Sequence, residues 1–218
     1  RHAASVSAEI GALRYSSAHL VGVCGSGMKA LAELLAGLGW KVTGSDLQTS
    51  TSNLQKMRER GVRIHSGHSD AFVPRGVDVV VHSPAVGSSN PELRMAERLG
   101  IPRMTYSQML GRLMRERVGV AVAGTHGKST TTAMTATILR GSHLSCSAVI
   151  GAELRDTGAS GFAGRGNILV TESCEYQRSF LDLSPRFAAV LGIEPDHFDC
   201  FKTVEEPRAA CAGVAERV

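Results

Sequence analysis

The run Ala123-Gly-Thr-His-Gly-Lys-Ser-Thr130 places two glycines, a lysine and two hydroxyl side chains between a β-branched stretch and an amphipathic one. These residue types in this order suit a nucleotide polyphosphate. Glycine lets the backbone wrap an anion with no Cβ in the way, a lysine ammonium can lie over β- and γ-phosphates, and a neighbouring hydroxyl can coordinate magnesium. Lys128 is therefore the candidate phosphate cation and Ser129 the candidate metal ligand, with Gly124, Thr125, His126, Gly127 and Thr130 completing the cradle. The run departs from the strict P-loop pattern, which needs glycine where Val122 stands. The alternatives are a surface turn filled by His126 and a solvated lysine at a helix start.

A second glycine-rich run, Gly22-Val-Cys-Gly25-Ser26-Gly27-Met28, also joins an apolar stretch to a helical one. A helix N-terminus behind such a turn offers free N–H groups and a favourable dipole to an anion. The next apolar stretch ends in Gly44-Ser-Asp46, where a carboxylate can accept hydrogen bonds from a ribose. Gly25, Ser26, Gly27, Met28 and Asp46 are thus candidate nucleotide contacts. The glycine spacing is G-x-x-G-x-G rather than the dinucleotide G-x-G-x-x-G, so a purely structural tight turn is the competing reading.

Two further groups of residues have metal-binding chemistry. Glu172 follows the apolar run 168–171, while Glu194, Asp196, His197 and Asp199 follow the run 187–191. In an open parallel sheet, strand ends of this kind share one crevice with the phosphate loop. Hard carboxylate oxygens there suit magnesium, with an imidazole added less commonly. Glu172 and His197 are each ordinary solvated polar residues when taken singly; their shared position beside a phosphate loop gives them a ligand role.

The elements that must position these groups follow from periodicity. Buried strands are predicted at 19–23, 41–44, 77–82, 118–122, 168–171 and 187–191. Amphipathic helices are predicted at 28–38, 52–60, 91–99, 107–115 and 129–139. Strand followed by helix, repeated, implies parallel sheet, so the expected fold class is α/β. A new strand with its own glycine turn starts at Val118 after a charged stretch. This predicts a Rossmann-like domain over 1–117 and a P-loop-type ATP-binding domain over 118–218.

Composition narrows the classes. Hydrophobic residues make up 43% and charged residues 20%, which excludes a disordered or fibrous chain. The net charge of +4 arises from scattered cations, and the cluster Lys56, Arg58, Arg60 is interrupted by Glu59 and reads as a solvated helix face. No nucleic-acid partner is expected. Five widely spaced cysteines form no Cys-x-x-Cys pair, which predicts reduced thiols. Cys174, His197 and Cys200 match no zinc spacing. With no export signal and no membrane-length apolar run, the expectation is a cytoplasmic protein with no membrane partner.

The segments Ala121-Val-Ala-Gly-Thr-His-Gly-Lys-Ser-Thr-Thr-Thr132, Glu172-Ser-Cys-Glu-Tyr-Gln-Arg-Ser-Phe-Leu181 and Ile193-Glu-Pro-Asp-His-Phe-Asp199 resemble the Mur ligase family. Gly22 to Met28, Gly44-Ser-Asp46, His82-Ser-Pro-Ala85 and Ser89-Asn-Pro-Glu92 resemble its UDP-binding domain. The resemblance runs from about His19 to Phe201. It implies an enzyme that uses ATP and Mg²⁺ to phosphorylate the lactyl carboxylate of UDP-N-acetylmuramate, after which the L-alanine amine displaces phosphate. Carried over by residue, Lys128 holds ATP phosphates, Ser129 and Glu172 one magnesium, and His197 a second; Gly25 to Met28, Asp46 and Ser83 hold UDP. The sister activity that returns whole peptides to UDP-N-acetylmuramate shares most of these motifs.

Three positions depart from the family pattern: Gly192 for the usual Asn, Ala152 for a second Gly, and Ser129 for the commoner Thr. The chain begins without Met and ends inside the expected central domain, so it reads as a portion of a longer enzyme. An NAD-dependent oxidoreductase explains Gly22 to Asp46 but leaves the Lys128 loop and Glu172 unused. A non-catalytic nucleotide-binding module is the remaining alternative.

Overall fold

Short apolar runs alternating with helices build two five-stranded sheets. The computed structural model describes residues 15–173 and 182–192. The first sheet comprises β1 (Ser17–Val21), β2 (Lys41–Asp46), β3 (Val62–Ser66), β4 (Val79–His82) and β5 (Arg103–Thr105), in the order β3-β2-β1-β4-β5. All of its pairings are parallel, with Leu20 beside both Gly44 and Val81. The helices between these strands are α1 (Ser26–Gly37), α2 (Thr51–Glu59), α3 (Pro91–Arg98) and α4 (Tyr106–Arg115). The second sheet comprises β6 (Val118–Ala123), β7 (Cys146–Val149), β8 (Gly161–Phe162), β9 (Ile168–Glu172) and β10 (Phe187–Val190), in the order β10-β6-β9-β7-β8. Helix α5 (Lys128–Gly141) follows β6. Its pairings are parallel except β7 with β8.

Burial explains the composition of these elements. Ala18, His19, Leu20 and Val21 of β1 have no exposure, as a parallel strand covered on both faces requires. Helix α1 is buried continuously from Met28 to Leu35, because it lies between the two sheets. Gly161 of β8 crosses α1 so closely that a Cβ would stand 1.8 Å from the Ala30 carbonyl. One apolar core therefore runs from Leu20, Leu31 and Leu34 to Val149, Leu169 and Leu183. Local signals set the helix starts: the Asn90 side chain accepts from Glu92 N and Leu93 N ahead of Pro91, and Thr105 with Gln108 forms a capping box at α4.

The observed elements differ from the expected ones at identifiable places. The first strand ends at Val21 rather than 23 because Gly22 turns the chain at φ +80°. Strands β3, β5, β7 and β8 were not predicted; each is short and completes a sheet through pairing rather than through its own pattern. Of the Lys56 to Arg60 cluster, expected to be a solvated helix face, Lys56, Arg58 and Glu59 are exposed as expected, whereas Arg60, just past the end of α2, is half-buried against α1. Arg60 pairs with Glu33 and donates to the Thr157 carbonyl at 3.1 Å, and Lys56 lies 3.5 Å from Glu153.

A polar network is buried within the first sheet. Glu92 Oε2 lies 2.5 Å from His19 Nε2, Glu92 Oε1 lies 2.8 Å from His68 Nδ1, and Ser45 Oγ donates to the same carboxylate. His19 Nδ1 meets Thr43 Oγ1 at 2.8 Å. Every member is satisfied, which is the condition for burying a carboxylate at all.

Candidate functional site

The first loop starts where β1 ends. Gly22 adopts φ +80°, and a Cβ there would meet Ser83 and Val86 at 3.0 and 3.1 Å, so a side chain is excluded by both conformation and space. The turn is bonded to β2 through Gly22 N and Val23 N, both donating to the Ser45 carbonyl. Gly44 makes room for it, since a Cβ at this position would stand 2.9 Å from Val23 Cβ and 2.7 Å from the Leu20 carbonyl. Asp46 completes the support: its Oδ2 accepts from Cys24 N and its Oδ1 from Gln48 N. Its carboxylate therefore holds the loop in shape, a role the sequence did not indicate. Helix α1 begins at Ser26, and Gly27 lies flat against the Tyr106 ring, where a Cβ would approach to 3.1 Å. Burial first, then the Asp46 charge, push the Cys24 thiol up to about 11 against the lowering effect of Lys29, so this cysteine stays a thiol at neutral pH.

The second loop starts where β6 ends. Gly124 at φ +132° and Gly127 at φ +80° give the chain its two reversals, and Gly127 caps α5 in the left-handed conformation. Leu191 and Gly192 close one side, with Thr125 N donating to the Gly192 carbonyl at 2.9 Å. Lys128 Nζ folds back over the loop and donates to the Gly124 and Thr125 carbonyls at 2.6 and 3.1 Å. His126 and Thr130 are exposed at the rim. Ser129, in the first turn of α5, donates from Oγ to Glu172 Oε2 at 3.1 Å, across 43 residues of sequence.

Glu172 ends β9, and its other oxygen accepts the Gly151 N–H. A Cβ at Gly151 would stand 2.9 Å from both Glu172 oxygens and 3.0 Å from Ser129 Oγ. This position was seen in the sequence only through its neighbour Ala152, because nothing local to it announces that a carboxylate arrives from another strand. Tyr106 was also missed; at the first position of α4 it carries no pattern of its own.

The first loop opens onto a cleft of about 320 Å³ that reaches Glu172, the carboxylate to which Ser129 donates. Gly25, Ser26, Gly27 and Met28 line one side together with Ser83, and Gly151 and Glu172 line the other. Of the sequence-predicted residues, the structure thus brings Gly25 to Met28, Ser83 and Glu172 to a single space, with Ser129 bonded to Glu172. Asp46 sits behind the first loop. His197, with Glu194, Asp196 and Asp199, lies outside the described residues, as do Cys174 and the segment from Tyr176 to Leu181. No group of three metal-ligating side chains occurs among the described residues, and no helix among them is long and apolar enough to cross a membrane.

Two α/β units, each with a glycine loop between a strand and a helix, define the class of fold that binds nucleotides at its strand ends. Residues 17–118 match the Mur ligase family, catalytic domain, and residues 122–216 match the Mur ligase middle domain. The chain belongs to the Mur ligase family. It is 44% identical over 205 residues to a UDP-N-acetylmuramate–L-alanine ligase of Sorangium cellulosum, covering 94% of this chain and 43% of that protein. Among solved structures it is similar to a UDP-N-acetylmuramate-alanine ligase from Thermotoga maritima, with a TM-score of 0.78 and 27% identity over 92% of this chain and 47% of that one. It is also similar to a murein peptide ligase from Psychrobacter arcticus, with a TM-score of 0.77 and 25% identity over 93% and 47%. The chain spans less than half the length of these relatives.

Proposed function

We propose that this chain is the nucleotide-handling portion of an ATP-dependent ligase that joins L-alanine to UDP-N-acetylmuramate in peptidoglycan synthesis. The observation that carries the reading is the single cleft lined by Gly25 to Met28 on one side and by Glu172 on the other. In this reading the first loop and Ser83 hold the UDP moiety, so that the lactyl carboxylate projects across the cleft toward the Ser129 and Lys128 loop. There a carboxylate oxygen attacks the γ-phosphorus and ADP leaves. The alanine amine then attacks the acyl carbon, and inorganic phosphate departs as the amide forms.

The residues present fit a magnesium ion. Ser129 Oγ and the Glu172 carboxylate are hard oxygen donors on one spot, and Gly151 leaves the space beside them free of side chain. Magnesium held there would supply charge neutralisation for the polyphosphate, and His197 would contribute to a second ion. Lys128 then exchanges its two carbonyl partners for phosphate oxygens, and Gly124 to Thr130 wrap the nucleotide. These cations matter most in the transition state, where a carboxylate and a polyanion are forced together.

The solved alanine and peptide ligases do not discriminate, at 27% and 25% identity; support for alanine as the second substrate comes from curated relatives named for alanine ligation, at 44%, 42% and 46% identity over 84% or more of the chain. The test is phosphate release by the protein expressed from its own gene, with UDP-N-acetylmuramate and Mg·ATP, on addition of L-alanine or of a tripeptide. Release that requires L-alanine supports the reading. Release that requires the tripeptide moves the protein to the recycling activity, and release with neither leaves a nucleotide-binding module.

A further inference from the structure

Helix α1 starts in the first glycine loop and carries two charged side chains into the contact with the second sheet. Lys29, the residue after Met28, is only 11% exposed, and its Nζ donates to Glu153 Oε1. One turn on, Glu33 is buried; its Oε2 accepts from Ser160 N at 2.7 Å and Gly161 N at 2.8 Å, and its Oε1 pairs with Arg60. The segment gripped at these two points begins at Gly151, whose N–H holds Glu172 and through it Ser129. Lys29 with Glu153, the two residues of chain back to Gly151, and Gly151 with Glu172 therefore connect the helix bearing the first loop to Ser129 beside the second.

A largely buried ammonium is costly to desolvate, and exchanging such a pair for apolar side chains is often neutral or stabilising. Stability is thus a poor reason for Lys29 to stand in the buried stretch of α1. Geometry is a better one, because the pair fixes the 151–161 segment against the helix that bears the first loop. Glu153 is 40% exposed, and the Lys29 hydrogen bond, ahead of any other influence, holds its carboxyl below the usual range.

We propose that Lys29 and Glu153 are positioning residues that couple the two ligand sites, setting where Gly151 holds Glu172 relative to the loop that carries the sugar nucleotide. Glu33 is the second anchor of the same clamp. The inference rests on the reading of the two loops as UDP-sugar and Mg·ATP sites. It requires that filling one site tightens the other, by a factor in the usual range of about 5 to 150 for coupled sites.

The experiment titrates a non-hydrolysable Mg·ATP analogue into the full chain, with and without saturating UDP-N-acetylmuramate. In the wild type the sugar nucleotide should lower the analogue's Kd about tenfold. In Lys29→Met and in Glu153→Gln that ratio should fall to about 1 with the melting temperature little changed, and the charge-swapped pair Lys29→Glu with Glu153→Lys should recover most of it. Glu153→Gln alters a side chain with solvent access and so keeps the test alive should Lys29→Met fold poorly. A wild-type ratio near 1, or a ratio undiminished in the variants that fold, overturns the clamp. Failure of the wild type to bind either ligand overturns instead the functional reading beneath it.

Discussion

Gly151→Ala is the sharpest probe of the site because the added atom has one place to go. Its Cβ would stand 2.9 Å from both Glu172 oxygens, about 0.5 Å inside the ordinary contact distance of 3.4 Å. The carboxylate cannot swing aside without loss, since Oε1 is held by Gly151 N and Oε2 by Ser129 Oγ. A retreat of half an ångström in a metal ligand, scaled from the roughly hundredfold cost of a 1 Å misplacement, is worth about tenfold in Mg·ATP affinity, or ~1.4 kcal/mol. The fold should not suffer. Gly151 is not among the positive-φ glycines and the crowding atoms are side-chain ends, so the gain of about 0.4–1 kcal/mol through the unfolded chain offsets part of the cost of moving them. Calorimetric titration with a Mg·ATP analogue, paired with a thermal melt, should therefore show weaker binding at a little-changed melting temperature. Affinity within twofold of wild type would refute the assignment of Glu172 and Ser129 as the metal site.

Lys128→Ala in the protein expressed from its own gene should lower ligase turnover by at least about a hundredfold, some 3 kcal/mol, while UDP-sugar binding survives; steady-state kinetics with near-normal turnover would remove the ATP-loop assignment. Gly44→Ala drives a Cβ to 2.7 Å from a backbone carbonyl of β1 and should cost about 1–3 kcal/mol in urea unfolding, with no cost meaning that β1 and β2 are less tightly joined than described. Burial pushes the Glu92 carboxyl up, but hydrogen bonds from His19, Ser45 and His68 and the His19 charge bring it net below its ordinary 4.5. A carboxyl depressed on folding contributes stability above its unfolded value that is lost as pH falls through the folded one. Unfolding free energy should thus drop below about pH 4.5 and drop less steeply in Glu92→Gln, and equal acid slopes in the two proteins would count against this network.

What sequence alone determined is what neighbours along the chain can encode. The two glycine loops, the apolar runs that precede them and the helices that follow are local signals, because φ freedom, capping and periodicity are set within a turn or two of chain. Lys128, Ser129 and Glu172 were legible for that reason, each at a strand end or helix start of recognisable type. Only tertiary structure decided that Glu172 reaches Ser129 across 43 residues, and that Gly151 must lack a side chain for this to happen. The same holds for Asp46, whose carboxylate also accepts the Cys24 N–H of the first glycine loop, and for Arg60, legible as a solvated cation but paired with Glu33 between the sheets. Such pairings join residues far apart in the chain, so they are fixed by how α1 packs between two sheets and leave no local pattern in the residues that make them.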